Sequence, residues 1–478
     1  MPNLLLAAFA ATAAAGGGVM GPCDILGASG NPCVAAHSTV RALFAEYGGP
    51  LYTVTRSSDG RSASIGVLEA GGFADTPAHD EFCPEMDCVI STLFDQSPMK
   101  NHLGQRDKPV NASRHSITVG KGRDKSPVYG MWFEPGFGYH VDQTRGVATG
   151  NDPESIYAVM SGKNFNDGCC FDYGNSESDD TDDGCGTMEA IYFGNAHWAG
   201  NSGAGNGPWV GADLEEGMYY GGGNVTKVNS QSRPLAHDFV SLALKGRRDG
   251  FTIKGGDATS GMTATMYDGP RPDTAIAGRC GVGSSVTLQH CAPGDGNQVW
   301  GFKQDGESIA SDGQCLDISN WRTTKGSSVW AYPCKTEPAR NEFWDLQGGT
   351  IRSLQLNTPF CLGTQGVAVG ATTMLDSCTA ASSAFAIGFT NRSSSGTIVQ
   401  KVSGLCLTRT GVDVIGYQPM RKQGAIVLST GGDNSNRAQG TFYEGFMATG
   451  YATDETDAAI QDNIVAVGYS GFSIPHAL

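Results

Sequence analysis

A broken internal repeat limits this chain to few architectures. Cys-Leu dipeptides stand at Cys315, Cys361 and Cys406, 46 and 45 residues apart. Two of them lead into a second β-rich run that ends in cysteine, Ser328 to Cys334 and Thr373 to Cys378. Units close on Asn297 to Trp300 (NQVW) or on Asn341 to Trp344 (NEFW). A period of this length marks copies of one supersecondary unit. The copies are out of order, because Cys406-Leu407-Thr408 opens a unit with no close downstream, while Ser284 to Trp300 closes a unit with no opening upstream. The halves complete one another only if the two ends of the segment lie side by side, which lets a domain sit inside a loop of its host. Residues 275–410 are therefore expected to be an insertion, with 19–274 and 411–478 forming one host domain.

This repeat resembles the ricin B-type β-trefoil lectin fold. The resemblance implies a sugar site built from an Asp in the Cys-Leu-Asp strand, an aromatic platform and an Asn near the closing Trp. One unit keeps all three: Asp317, with Trp330 or Tyr332, and Asn341. Gly363 and Thr408 replace the Asp in the other two.

The host reads as all-β. Gly accounts for 68 of 478 residues and charged residues for 17%, a composition that favours turns and short strands over long charged helices. Runs such as Ser126 to Phe133, Ser155 to Met160, Met188 to Phe193, Trp209 to Glu215 and Phe239 to Lys245 are short, β-rich and bounded by Gly, Asn and Asp. That pattern suits a sandwich of two antiparallel sheets. One helix is expected, over Val34 to Tyr47, where apolar residues recur at spacings of three and four before Gly48-Gly49-Pro50. The acidic run Glu177 to Asp183 is expected to be a solvated loop.

Lys+Arg 32 against Asp+Glu 48 gives a net charge of -16, the wrong sign for nucleic acid or an anionic membrane. The apolar run Leu4 to Ala15 has signal-peptide length, so residues 1–18 are expected to be a leader and the protein to be secreted. No other run is long enough to cross a bilayer. The 14 cysteines lack zinc-ligand spacings and read as disulfides. Proximity pairs Cys23 with Cys33, Cys83 with Cys88 and Cys169 with Cys170. Repeat position pairs Cys315 with Cys334 and Cys361 with Cys378, and the split unit pairs Cys291 with Cys406, leaving Cys185 and Cys280. Asn111, Asn224 and Asn391 sit in glycosylation tripeptides. No metal or cofactor is expected, and the protein is expected to be a monomer.

Two host segments carry carboxylates suited to chemistry. In Gly207 to Gly217, strand alternation would put Asp213 and Glu215 on one face, fitting either a solvated strand end or a catalytic pair. The apolar run Ala425 to Leu428 leads into Gly431-Gly432-Asp433-Asn434, where glycines let the backbone approach a ligand and Asp433 can reach a cleft. Two carboxylates across a cleft are what glycosidic-bond cleavage requires. These segments, with Gly168-Cys-Cys-Phe-Asp-Tyr-Gly-Asn175 and Met188 to Asn195, resemble the catalytic domain of glycoside hydrolase family 54, the α-L-arabinofuranosidases B. The resemblance implies a retaining exo-enzyme acting on arabinose-containing polysaccharide, with a jelly-roll or concanavalin-like β-sandwich. It implies Glu215 as nucleophile, Asp433 as acid/base, and Asp213 and Trp198 as sugar contacts. Gly432 and Asn434 flank the acid/base. A bond between Cys169 and Cys170 would line the pocket. Glu216 departs from the family, which has Asn there, and opens a second reading as a galactofuranosidase; a lectin with an inactive hydrolase scaffold is a third.

Overall fold

The computed structural model describes residues 20–84, 87–180, 184–197, 201–215, 217–221, 228–272, 283–303, 305–318, 323–334, 340–355, 359–389, 394–413, 417 and 419–471. Among them the chain is all-β. Two antiparallel sheets, of eight and ten strands, lie face to face. They share one apolar core in which Tyr173 of the larger sheet meets Phe442 of the smaller, ring centroids 5.3 Å apart.

The centre of each sheet is supplied late in the sequence. Gly440–Thr449 lies between Glu154–Met160 and Ser126–Phe133 in the smaller sheet. Ala425–Leu428 lies between Asp172–Ser176 and Tyr139–Val141 in the larger. Residues after 413 thus complete both sheets begun before 272.

Between these passages, residues 283–413 form two further sheets around a second core that includes Trp300, Leu316, Trp344, Leu362, Phe385 and Leu407. The two ends of this stretch run side by side, Gly283–Gln289 pairing antiparallel with Cys406–Asp413. The indole of Trp344 donates to the Leu316 carbonyl at 2.8 Å, and that of Trp300 to the Leu407 carbonyl at 2.9 Å. Each closing Trp therefore bonds the carbonyl of a Cys-Leu opening, and for Trp300 that opening stands more than a hundred residues downstream.

The disulfides Cys23–Cys33, Cys83–Cys88, Cys169–Cys170, Cys291–Cys406, Cys315–Cys334 and Cys361–Cys378 are present. Cys185 is disulfide-bonded as well, while Cys280, its expected partner, lies outside the described residues. So do the leader at 1–18, Asn224 and Asn391.

The helix expected over Val34 to Tyr47 is not formed. Cys33–Ser38 is a strand, all six residues buried, paired with Gly440–Thr449. A short apolar run buried on both faces satisfies helical and strand spacing alike, and here the sheet neighbour decides. A helix that the strand-rich reading passes over spans Asp454–Val467. Its signals are local: the Thr453 hydroxyl accepts the Thr456 N–H, acidic residues fill the first turn, and Gly468 ends it at φ +73°.

Candidate active site

The outward face of the larger sheet carries the site. In Asp172–Ser176, Tyr173 points into the core, so Asp172 points outward. Across Glu189–Gly194, Asp172 stands opposite Tyr192, and Asp213 opposite Ala190. Small residues at Ala190 and Gly174 share the row with Asp213. The floor therefore holds two outward carboxyls one row apart, with aromatic packing beside them: Cys170, Tyr192, Trp209, Met218 and Tyr220 form their own buried cluster. The two sulfurs of Cys169 and Cys170 and one carboxylate oxygen of Asp213 lie within 4.8 Å of one another. Bonded to each other, these sulfurs offer an apolar wall.

The strand carrying Asp213 stops there. Alternation does not continue to Glu215, as the sequence suggests it would, because Glu215 adopts φ +60° and turns the chain. Hydrogen bonds hold this turn. The Glu215 N–H donates to Asp213 Oδ1 at 3.1 Å, and the Tyr417 hydroxyl donates to the Glu215 carbonyl at 2.9 Å. Tyr417 is fully buried and accepts the Tyr219 hydroxyl at 2.8 Å. Asp213 and Glu215 are both buried.

Asp433 arrives from the other side, on the loop after Ala425–Leu428. The loop is tied down by the Cys170 N–H donating to the Ser435 carbonyl and the Arg437 N–H donating to the Cys169 carbonyl. Asp433 is exposed, and its Oδ1 accepts the Ser435 N–H at 2.9 Å together with the Ser435 hydroxyl. A cavity of about 370 Å³ opens here, lined by Cys169, Asp433, Asn434, Ser435, Asn436 and Arg437. Gly432 is buried against Glu177: a Cβ at this position would overlap Glu177 Oε2. Glu177 itself corrects the solvated-loop expectation. It is fully buried and accepts the Thr187 hydroxyl, because the glycine-rich loop folds down on it. Trp198 and Glu216 lie outside the described residues.

The structure thus brings together Asp213, Glu215, Cys169, Cys170, Gly432, Asp433 and Asn434, drawn from three separate stretches of chain. Asp172, Glu177 and Tyr417 join them, none of which the sequence marked as a site residue. Asp172 stood two residues after the Cys-Cys pair in a strand-like run, the one signal that could have marked it. In the second core, Asn341 Nδ2 donates to both oxygens of Asp317 at 3.0 Å, and Trp330 Nε1 donates to Asp317 Oδ1 at 3.2 Å. Tyr332 stacks on Trp330 with ring centroids 5.8 Å apart.

Comparison with known proteins bears on both regions. The family model described as alpha-L-arabinofuranosidase B, catalytic, matches residues 22–278 and 373–470. Its second stretch starts in strand Thr373–Asp376, inside the second core and ahead of the boundary at 411 expected from the sequence. A probable alpha-L-arabinofuranosidase B of Aspergillus fumigatus is 32% identical over 95% of this chain and 64% of its own length. Alpha-L-arabinofuranosidase B of Aspergillus niger is 32% identical over 99% and 67%. A solved family 54 α-L-arabinofuranosidase soaked with a cyclic sulfate inhibitor superposes with a TM-score of 0.62 at 31% identity, covering 95% of this chain and 66% of that one. An arabinofuranosidase complexed with arabinofuranosyl-α-1,2-xylobiose gives the same TM-score and identity over 94% and 66%. The chain spans just under two thirds of the length of the first of these relatives.

Proposed function

The chain belongs to the α-L-arabinofuranosidase B catalytic family, and from that premise we propose that it is a secreted, retaining exo-α-L-arabinofuranosidase that removes terminal arabinofuranose from arabinan- or arabinoxylan-type polysaccharide. The convergence of Asp213, whose carboxylate holds the Glu215 backbone, and Asp433 on the bonded Cys169–Cys170 wall, from opposite sides of one outward face, carries this reading. Glu215 attacks the anomeric carbon while Asp433 protonates the departing glycosidic oxygen. Asp433 then takes a proton from the water that releases the sugar from Glu215. Asp213 holds sugar hydroxyls, family resemblance assigns Trp198 a sugar contact, and Gly432 and Asn434 shape the mouth around Asp433. Glu216, an acidic residue where the family has Asn, favours a second reading in which the sugar is another furanose such as galactofuranose.

The 275–410 segment acts as a ricin B-type β-trefoil inserted in the host, with one sugar site at Asp317, Trp330, Tyr332 and Asn341. The paired segment ends, the recurring Trp-to-Leu bonds and the hydrogen-bonded Asp317–Asn341 pair support this assignment. The disulfides and the leader-like N-terminus support secretion, and the protein acts as a monomer.

Purified protein assayed on nitrophenyl furanosides and pyranosides tests the enzyme. Hydrolysis of the α-L-arabinofuranoside well above the β-D-galactofuranoside is expected. The reverse preference would move the substrate to galactofuranose, and no furanoside hydrolysis would overturn the enzyme reading. Asp317→Ala should weaken retention on arabinoxylan gels without changing small-substrate hydrolysis; unchanged retention would refute the lectin assignment.

A further inference from the structure

Asp172 is a carboxyl set among other carboxyls. It is fully buried, and neither of its oxygens is reached by a hydrogen-bond donor among the described residues. The titratable groups that act on it are Asp213 from the end of the second strand over, Asp433 from the glycine-rich loop and Glu177 just past its own strand, all acidic, with Tyr192 opposite it on the strand between. A buried carboxylate with neither donor nor cation is costly, and two carboxyls within hydrogen-bonding reach settle by sharing a proton.

Geometry decides which of the pair holds that proton. Asp213 Oδ1 already accepts the Glu215 N–H, a bond that favours the ionised form of Asp213. Asp172 has no such donor. We propose that Asp172 is a positioning residue of the active site: its neutral carboxyl donates an O–H hydrogen bond to the Asp213 carboxylate and locks Asp213 in the rotamer that fixes the Glu215 backbone. Burial first, and then the charge of Asp213, raise the pKa of Asp172 well above the usual carboxylate range, in keeping with this assignment. The position also connects three parts of the site. Asp172 stands two residues after the Cys169–Cys170 wall, reaches Asp213 through its side chain, and accepts the Ser429 N–H through its carbonyl at the root of the Asp433 loop. The inference rests on the furanosidase reading for its role in catalysis, while the location of the proton does not.

The test compares Asp172→Asn with Asp172→Ala in the full chain. An amide N–H replaces the carboxyl O–H, so D172N should keep kcat/KM within about threefold of wild type on nitrophenyl α-L-arabinofuranoside. D172A, which removes the donor, should lose roughly 10- to 150-fold, the range for one hydrogen bond to a charged group. The second readout uses no substrate. At pH 7 the infrared difference spectrum, wild type minus D172N, should show the carbonyl stretch of a protonated carboxyl. If folded D172N is as impaired as D172A, or if the difference spectrum shows a carboxylate and no protonated carboxyl, the proposal is overturned. Should D172N not fold, Asp172→Ser keeps an O–H donor and is held to the same two outcomes. Wild-type protein inactive on every furanoside would refute the enzyme reading alone, and the spectrum would still decide where the proton sits.

Discussion

Replacing Lys422 by Met should destabilise the protein by an amount that depends on pH. Lys422 is fully buried and contacts Glu154 Oε1 at 2.7 Å, Glu189 Oε2 at 2.8 Å and the Asp152 carbonyl at 2.7 Å. Glu189 also pairs with Arg271 at 2.9 Å. Arg271 stands where the chain leaves the sandwich for the second core and Lys422 where it returns, so one glutamate holds both passages. Burial opposes the Lys422 charge, but Glu154 and Glu189 outweigh it and raise its pKa. Burial and the nearby Glu189 push Glu154 up to about 7 even with Lys422 in place. A carboxyl raised in this way contributes stability below its unfolded value, near 4.5, and that contribution is lost as pH rises through about 7.

Met fills the space of Lys without its charge. At pH 5 Glu154 is already protonated and Glu189, still ionised, keeps Arg271 as its cation, so the variant should lose hydrogen bonds and one of the two cations of Glu189, about 1–2 kcal/mol. At pH 8 Glu154 must either ionise without its cation or stay protonated while the unfolded chain ionises, and the loss should reach about 3–5 kcal/mol. With roughly 330 residues unfolding at about 2.1 cal/mol/K each, the entropy change is ~0.7 kcal/mol/K. The Tm should then fall roughly 4–7 °C at pH 8 and less than about 3 °C at pH 5. Near-UV circular dichroism melts at the two pH values, disulfides intact, measure this. Equal losses at both pH values would refute the charge argument, and an unchanged Tm would refute any structural role for the network.

Other expectations follow from the same geometry. Gly432→Ala places a methyl group on Glu177 Oε2 and should cost about 1–3 kcal/mol in a melt and most of the activity; a normally active, equally stable variant would show that the loop does not need this contact. Asp433→Asn should slow arabinofuranosyl-xylooligosaccharides by roughly 10²- to 10⁴-fold and nitrophenyl arabinofuranoside far less, since a good leaving group needs no proton; equal losses on both would remove Asp433 from the acid role. Joining Asp273 to Gly411 through a short Gly/Ser linker keeps Arg271, Tyr417 and Lys422, so the shortened protein should fold and cleave nitrophenyl arabinofuranoside within about threefold of wild type, under ~1 kcal/mol of barrier. Loss of that activity in a folded deletion would show that residues 283–413 build part of the active site.

Much of this arrangement was legible in the sequence because it depends on local signals. The repeat of Cys and Trp pointed to partners that are distant in sequence, and Trp300 does bond the Leu407 carbonyl. Glu215 and Asp433 stood out because each lies in a motif at a strand end. The failures share a cause. Cys33–Ser38 reads as helix because apolar spacing is ambiguous in a run buried on both faces. Glu177 reads as solvated because it opens an acidic run, and only the loop from the far end of the chain buries it. Asp172 lies in the Gly168–Asn175 segment without a role that the segment itself reveals, and Tyr417 lies in no motif; their importance lies in what tertiary packing sets beside them, Asp213 for one and the Glu215 carbonyl for the other.

The identity of the nucleophile is the claim on which the enzymatic account turns. An arabinofuranose-configured cyclic sulfate, an electrophile that a nucleophilic carboxylate opens to a stable ester, can be incubated with the purified protein and the adduct located by peptide mass spectrometry. A single adduct on Glu215 is expected, absent in Glu215→Gln, with loss of hydrolysis in step with labelling. An adduct on Asp213 or Asp433, or steady hydrolysis by Glu215→Gln, would contradict it.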